Sequence, residues 1–488
     1  MNIKKELFKG SLIVSIITLI GHVLSTGLKV YVSRKFGLQI FGVFSLIHVL
    51  SRFLVSIIQL GYNHSMVYFV SKYKVQNEWG KISNVFNKGL YGIILAWITL
   101  ALILFAFKTY FTNYFFQDYE NNVIPHLIFL ISVLAIINYT SAVLKGLKKI
   151  KEQTIISTSF YPAVMIFSLF LVTNQSESES LEDFLFLGIS INLIALSIMF
   201  LIIKFKLKKK NVFKNKNYSI NISEYSVPIW LSSLLVNGIG KADRIMLGLL
   251  MTVDEVGIYN AGLTLSIIFA FPLRSLKPIL DPLIVGRYIN NDFKSLNILF
   301  NTMIRWTSLF VVPMFGFLVC FGVNIIQLFG RDFVSGYTVM LVLSISQMIS
   351  TVFGVATSIL NMGDRPKLNL KIMVFGAIIT ILLNMLLIPK WGGLGAAIGT
   401  SIALAFIKLI QIKAVTTHFK ITPNYSSLLK LIIIFALIVV VFLKLIFLAT
   451  VSWLYLAFGY MFFSCAIIYL ILKKSERSAI RSLLKNKY

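Results

Sequence analysis

Runs of about twenty apolar residues, such as LIIIFALIVVVFLKLIFL at positions 431–448, recur along the whole chain with short polar joints between them. At a rise of about 1.5 Å per residue, twenty helical residues cover the roughly 30 Å hydrocarbon core of a bilayer. Lipid offers no partner to a peptide N–H or C=O, so a crossing segment folds as a helix that satisfies its own backbone. The pattern predicts an all-α polytopic membrane protein. Composition agrees: 57% of the 488 residues are hydrophobic and only 13% are charged, whereas a soluble domain covers its core with charge.

Fourteen segments meet the length criterion, at approximately 10–33, 41–70, 87–107, 122–144, 154–173, 184–203, 226–250, 256–285, 299–322, 335–361, 368–388, 391–413, 428–447 and 451–472. The first follows MNIKKELFKG, is longer than a signal-peptide core and lacks a small-residue cleavage pattern, so it reads as a retained helix. With the N-terminus cytoplasmic, only Arg34, Lys35, Lys108, Arg331, Lys390 and Lys444 fall in outer joints, and most of the 46 Lys and Arg lie in the alternate, cytoplasmic ones. The acidic NQSESESLED (Asn174–Asp183) is then outside and the basic KFKLKKKNVFKNK (Lys204–Lys216) inside. An even count with both termini cytoplasmic follows. The net charge of +28 is spread over these joints and forms no separate basic domain, so nucleic acid is not an expected partner. Cys320 and Cys465 lie in apolar runs and point to neither a disulfide nor a metal site.

The chain also echoes itself. FGLQIFGVFSL (Phe36–Leu46) joins helices 1 and 2, and LMTVDEVGIYNA (Leu250–Ala261) joins helices 7 and 8, placing Gly42 and Phe44 opposite Gly257 and Tyr259 at an offset of about 215 residues. LKGLKKIK and NMGDRPK match at a similar offset, with Gly146 opposite Gly363. Six helices is an even number, so the second copy enters the membrane with the orientation of the first. Parallel repeats of this kind are related by an axis along the membrane normal. The expected organisation is an N-lobe of helices 1–6 (residues 1–210), a C-lobe of helices 7–12 (211–415) facing it across a central cavity, and helices 13 and 14 with a basic tail (416–488).

The segments RKFGLQIFGVFSLIHVL and LGYNHSMVYFVSKY, with ADRIMLGLLMTVDEVGIYNAG, IIQLFGRDFVSGYTVMLVLS and LLNMLLIPKWGGLGAAIGTSIAL further on, resemble a known family in order and spacing. It is the polysaccharide-transporter branch of the multidrug/oligosaccharidyl-lipid/polysaccharide (MOP) exporter superfamily. The resemblance covers nearly the whole chain and implies a MATE-like fold of 14 helices. It implies a flippase for undecaprenyl-diphosphate-linked oligosaccharides, such as O-antigen or capsule repeat units, in the bacterial cytoplasmic membrane. The implied partners are a polyprenyl-diphosphate-linked oligosaccharide, the lipid bilayer and other polysaccharide-assembly membrane proteins. No cofactor is expected.

The charges inside the spans bear on function independently. A charge at the centre of a membrane helix costs about 2.5–3.5 kcal/mol on insertion scales. Yet Lys29, Arg52, Lys241, Arg244, Arg274, Lys277 and Arg305 fall within spans, against the carboxylates Asp243 and Asp281. Facing one wet cavity, the seven cations would form a ladder for a diphosphate head, Arg binding it bidentately and Lys as a point charge. All seven are candidate substrate-binding residues. Lys241 and Arg244, three apart, are expected to share a helix face, while Asp243 turns away and reads as a structural ion pair. Lys29 and Lys277 can alternatively snorkel to the headgroups, and Arg305 can mark a helix end. For His22, His48 and His64, a proton relay and plain hydrogen bonds between helices both stay open. GLGAAIG (Gly393–Gly399) reads as a helix-packing face.

Three rival functions fit less well or equally. A multidrug antiporter needs buried carboxylates in its first lobe, but between Glu6 and Asp118 the sequence has only Glu78, in a cytoplasmic joint. A lipid II or teichoic-acid precursor flippase shares the diphosphate handle and the charges do not exclude it. An enzyme would show paired carboxylates, a metal-ligand cluster, a Gly-rich phosphate loop or an activated nucleophile, and the sequence offers none of these.

Overall fold

The computed structural model describes residues 2–116, 123–172, 240–448 and 452–472, with isolated positions between 190 and 238. Among the described residues there are sixteen α-helices and no strand. They are α1 (Asn2–Ile58), α2 (Tyr62–Val75), α3 (Trp79–Ala106), α4 (Lys108–Phe115), α5 (Val123–Gly146), α6 (Ile150–Thr154) and α7 (Tyr161–Val172). After position 240 come α8 (Ala242–Leu250), α9 (Val253–Ser266), α10 (Phe271–Ile289), α11 (Phe293–Ile326), α12 (Gly336–Val352) and α13 (Gly354–Met362). The last three are α14 (Pro366–Phe419), α15 (Ser426–Leu448) and α16 (Trp453–Ile471). Nine helical stretches among the described residues are long and apolar enough to cross a membrane. The chain is an all-α, multi-pass membrane protein. The acidic joint 174–183 and the basic joint 204–216 lie outside the described residues, as does the sixth expected span apart from isolated positions.

Several expected spans are interrupted, and each interruption has a local cause. The first and second run together in α1 and are separated at Gly37, whose φ of 81° lies where a side chain would be strained. The eleventh and twelfth run together in α14 across Gly392, with φ 52°. There the Glu255 carboxylate accepts the N–H of Gly393 at 2.7 Å, a negative charge at the start of the new helical segment. The second expected span, 41–70, does not continue to its end: Leu60 and Gly61 both take positive φ, and α2 starts afresh. Trp230 Nε1 donates to the carbonyls of Ser56 and Ile57 at 3.1 and 3.0 Å, satisfying groups that the end of α1 leaves open. The tenth span breaks at Phe353, and the eighth tightens to a 3₁₀ turn over Ile267–Ala270.

The duplication seen in the sequence extends to the backbone. Asn77 (φ 57°) matches Asn291 (φ 53°), and Lys148 (φ 57°) matches Asp364 (φ 62°), each pair about 215 residues apart. In all four places the left-handed residue is followed by the residue that opens a helix. Gly42 and Gly257 themselves meet: a Cβ built on Gly257 would lie 3.3 Å from the Gly42 Cα, and one on Gly42 would lie 2.0 Å from the carbonyl oxygen of Val253. Only glycine permits that approach.

The chain forms two compact units, one of residues 1–264 with 373–403, the other of residues 265–372 with 404–488. In the first, α2, α3 and α5 are tied by Tyr139, which donates to the Phe86 carbonyl at 2.6 Å, and by Trp97, which donates to that of Ile128 at 3.1 Å. Gly395 and Gly399 pack against Leu387 and Asn384 of the preceding segment, as the small-residue pattern predicts. In the second, α11 packs on α15 and α16, and Tyr460 donates to the Pro313 carbonyl at 2.9 Å. Phe447, 90% exposed, and Leu437, Phe458 and Phe462 face outward, as in a helix pair whose outer surface is covered by lipid.

Candidate substrate site

Four of the seven candidate cations come together in the first unit. Arg52 is exposed although its helix neighbours Leu50, Val55 and Ile58 are buried. Lys29 and Arg244 are near enough to Arg52 for the three charges to act on one another, and Lys241 feels both arginines. Lys29 Nζ donates to Thr264 Oγ1 at 2.8 Å, and Lys241 Nζ to the Arg52 carbonyl at 3.2 Å. Both lysines are thereby anchored by neutral oxygens, which leaves their charges uncompensated.

The charged stretch near position 241 departs from the expected continuous helix. α8 begins only at Ala242, with Lys241 at its N-cap, so Lys241 and Arg244 do not share a helix face. The break follows the Gly238-Ile239-Gly240 sequence, where glycine weakens a helix. Arg244 donates through Nη2 to the Gly240 carbonyl at 2.8 Å. Asp243 is buried, accepts from the Tyr259 hydroxyl at 2.5 Å and lies 3.5 Å from Arg244 Nε. The buried side-chain atoms of Asn384 and the Thr400 hydroxyl lack hydrogen-bond partners. Among the described residues, Asp243 is the carboxylate in contact with this cationic group.

His48 lies beside the cluster. Its Nδ1 is 2.9 Å from the Phe44 carbonyl and its Nε2 2.8 Å from the Tyr161 hydroxyl. A carbonyl can only accept, so Nδ1 carries a proton, and the ring ties α1 to Tyr161 at the start of α7.

The second unit holds the other three candidates. Arg274 and Lys277 are both exposed on α10. Arg305 donates to the Ile471 carbonyl at 3.1 Å, at the C-terminal end of α16, where a cation is favourable. A buried cation there, Lys408, escaped sequence reasoning. It is 8% exposed, lies in the field of Lys277, and donates to Thr357 Oγ1 and Gln411 Oε1, each at 2.9 Å. Gln411 continues to Asn369 at 2.7 Å, and Asn369 to Asn361 at 2.8 Å. The missed signal was the position of Lys408 inside the expected span 391–413, where a tally by joints assigns it to the cytoplasmic side.

A group of cations gathered within a membrane-embedded fold suits an anionic head group. Comparison with known proteins supplies the class. The sequence profile described as polysaccharide biosynthesis protein matches residues 7–276, more than half the chain. The chain belongs to the polysaccharide biosynthesis protein family. A second profile, described as MatE, matches residues 228–386.

A relative within this family's reach, the probable low-salt glycan biosynthesis flippase Agl15 of Haloferax volcanii, is 23% identical over 45% of this chain; the match spans 46% of Agl15, under half its length. The fold is similar to that of the lipid II flippase MurJ in an inward closed conformation (TM-score 0.68, 16% identity, 94% of this chain and 99% of that one). It is also similar to an inward-facing multidrug resistance MATE family transporter of the MOP superfamily (TM-score 0.66, 11% identity, 84% and 98%). At these identities the structural likeness is one of fold. Family and fold together make the chain a multi-pass membrane protein of the polysaccharide biosynthesis protein family, with a fold like that of MurJ and the MATE transporter.

Proposed function

We propose that this family member flips a polyprenyl-diphosphate-linked oligosaccharide from the cytoplasmic to the outer leaflet by alternating access. The observation that carries this reading is the group Lys29, Arg52, Lys241 and Arg244 with, among the described residues, one carboxylate in contact, Asp243 beside Arg244. A diphosphate brings roughly two negative charges and several acceptor oxygens, which two arginines can take bidentately. A cationic drug would be repelled by the same group, which disfavours a multidrug antiporter. The printed name of Agl15, a probable glycan biosynthesis flippase, supports a glycan-bearing lipid. The resemblance favours an undecaprenyl carrier, O-antigen or capsule repeat units and the bacterial cytoplasmic membrane, with both chain termini cytoplasmic. Lipid II and teichoic-acid precursors share the diphosphate handle and remain the second reading.

On this reading Arg274 and Lys277 receive the head group, and Arg52, Lys241 and Arg244 carry it onward, with Lys29 as the last site. Arg305, engaged with α16, is assigned the smallest part in binding. Interior-negative potential drives an anion outward by about 2.3 kcal/mol per charge per 100 mV, so two charges gain roughly 4–5 kcal/mol per 100 mV. The test is a complementation assay of surface glycan and lipid-linked precursor with Arg52→Ala, Arg244→Ala and Arg52→Lys, each checked for membrane insertion. The Ala variants should lose the glycan and accumulate precursor, with partial rescue by Lys. Full glycan in both Ala variants would overturn the reading.

A further inference from the structure

A second cationic site lies in the first unit on different elements. A groove of about 650 Å³ opens beside α2 and the end of α5, lined by His64, Tyr68, Ser71, Lys72 and Lys145 over an apolar floor of Val67 and Ile229. That volume falls in the roughly 300–1,000 Å³ range of small-ligand sites. Lys72 and Lys145 are both exposed, and the Lys145 charge reaches His64. Ser71 is turned to the Gly146 carbonyl at 3.1 Å, and Lys74 to that of Leu147 at 2.6 Å, which pins α2 to the end of α5. The nearby carboxylates are already engaged, Glu78 with Lys81 at 2.8 Å and Glu152 with Lys149 at 3.9 Å. The lining residues therefore present cations, hydroxyls and an imidazole, with no carboxylate among them.

The place in the chain is informative. Lys72 lies near the end of α2 with Lys74 two residues on, and Lys145 lies in the last turn of the apolar α5, followed by Lys148, Lys149 and Lys151. Basic side chains clustered at helix ends attract anionic lipid headgroups. Val67 and Ile229 offer apolar contact to the first carbons of a lipid tail. We infer that this groove binds the phosphate-bearing head group of a membrane lipid, with Lys72 and Lys145 on the phosphate and His64 and Tyr68 beside it. The site is separate from the Arg52–Arg244 group and stands whether or not that group moves a diphosphate.

The test uses the full-length protein in phosphatidylcholine nanodiscs, with bound lipid counted by native mass spectrometry. Three probes are titrated: phosphatidylglycerol, undecaprenyl diphosphate and free pyrophosphate. In Lys72→Gln/Lys145→Gln, affinity for a phosphate-bearing lipid should fall about thirtyfold, as expected for two lysines near a membrane surface. Lys72→Arg/Lys145→Arg should restore it, and Arg52→Ala/Arg244→Ala should leave bound phosphatidylglycerol in place. The lipid that loses more affinity, phosphatidylglycerol or undecaprenyl diphosphate, identifies the natural head group. Unchanged binding of both lipids in the Gln variant would overturn the inference, as would binding of pyrophosphate alone with neither lipid. Either result leaves the transport reading to be judged by the Arg52 and Arg244 variants.

Discussion

Arg52 and Lys408 are both cations deep in apolar helices, yet the protein treats them in opposite ways. Lys408 is buried and held by a hydroxyl and an amide oxygen that lead into a chain of amides through Gln411, Asn369 and Asn361. Arg52 is exposed, its own carbonyl takes a proton from Lys241, and the charges around it are mostly of its own sign. A buried, neutrally solvated cation is provided for within the fold, whereas on the proposed reading the exposed cation among cations is completed by a ligand. Depth in the membrane alone does not decide the environment a cation meets; accessibility and the sign of the neighbours differ between the two.

The comparison is most exposed to failure where the two cations are removed in the same way. Arg52→Met should abolish transport in reconstituted vesicles while the protein still melts cooperatively. Lys408→Met should keep transport within about twofold, with stability unchanged or raised, because well-packed apolar replacements of buried charges are often neutral or stabilising by about 1–4 kcal/mol. Equal loss of transport in both would erase the distinction. A smaller effect separates the carboxylate from the cations. Tyr259→Phe leaves Asp243 without its hydroxyl donor and should cost about 1–3 kcal/mol in a denaturation experiment. In the second unit, Thr357→Val removes one acceptor from Lys408 and should cost about 1–2 kcal/mol without changing substrate affinity.

The smallest effect lies outside the spans and serves as a control for generic electrostatics. Asp292 caps α11, and hydrogen bonds from Ser295 hold its carboxyl below the usual carboxylate range. Its contribution is present above the unfolded carboxyl pKa, near 4, and is lost as pH falls through the lower folded value. Melting temperature should therefore drop on acidification below about pH 4, and drop less in Asp292→Asn. An identical acid profile in that variant would remove Asp292 from the account.

Much of the architecture is legible in the sequence because lipid imposes one backbone solution on any long apolar run. Gly42 and Gly257, singled out by their matching sequence context, meet at a contact only glycine allows. What escaped were the breaks. Leu60-Gly61 and Lys241 interrupt apolar runs that read as continuous, because a side-chain donor such as Trp230, supplied from a distant part of the chain, satisfies the freed carbonyls. For the candidate site, residue type and depth pick out Arg52 and Arg244 as candidates, but Asp243's bond to Tyr259 and the neutral shell of Lys408 depend on which helices lie side by side. Arg305 shows the same limit: its charge was visible, while its hydrogen bond to Ile471 joins positions 166 residues apart.

The central claim is that the Arg52–Arg244 group binds a diphosphate. It is tested most directly by titrating undecaprenyl diphosphate into the purified full-length protein and into Arg52→Gln/Arg244→Gln, at two salt concentrations. Truncating paired charges at a desolvated contact typically costs about 2–5 kcal/mol, so affinity should fall by roughly a hundredfold or more, and the salt dependence should flatten. Affinity and salt dependence equal to those of the unaltered protein would contradict the account.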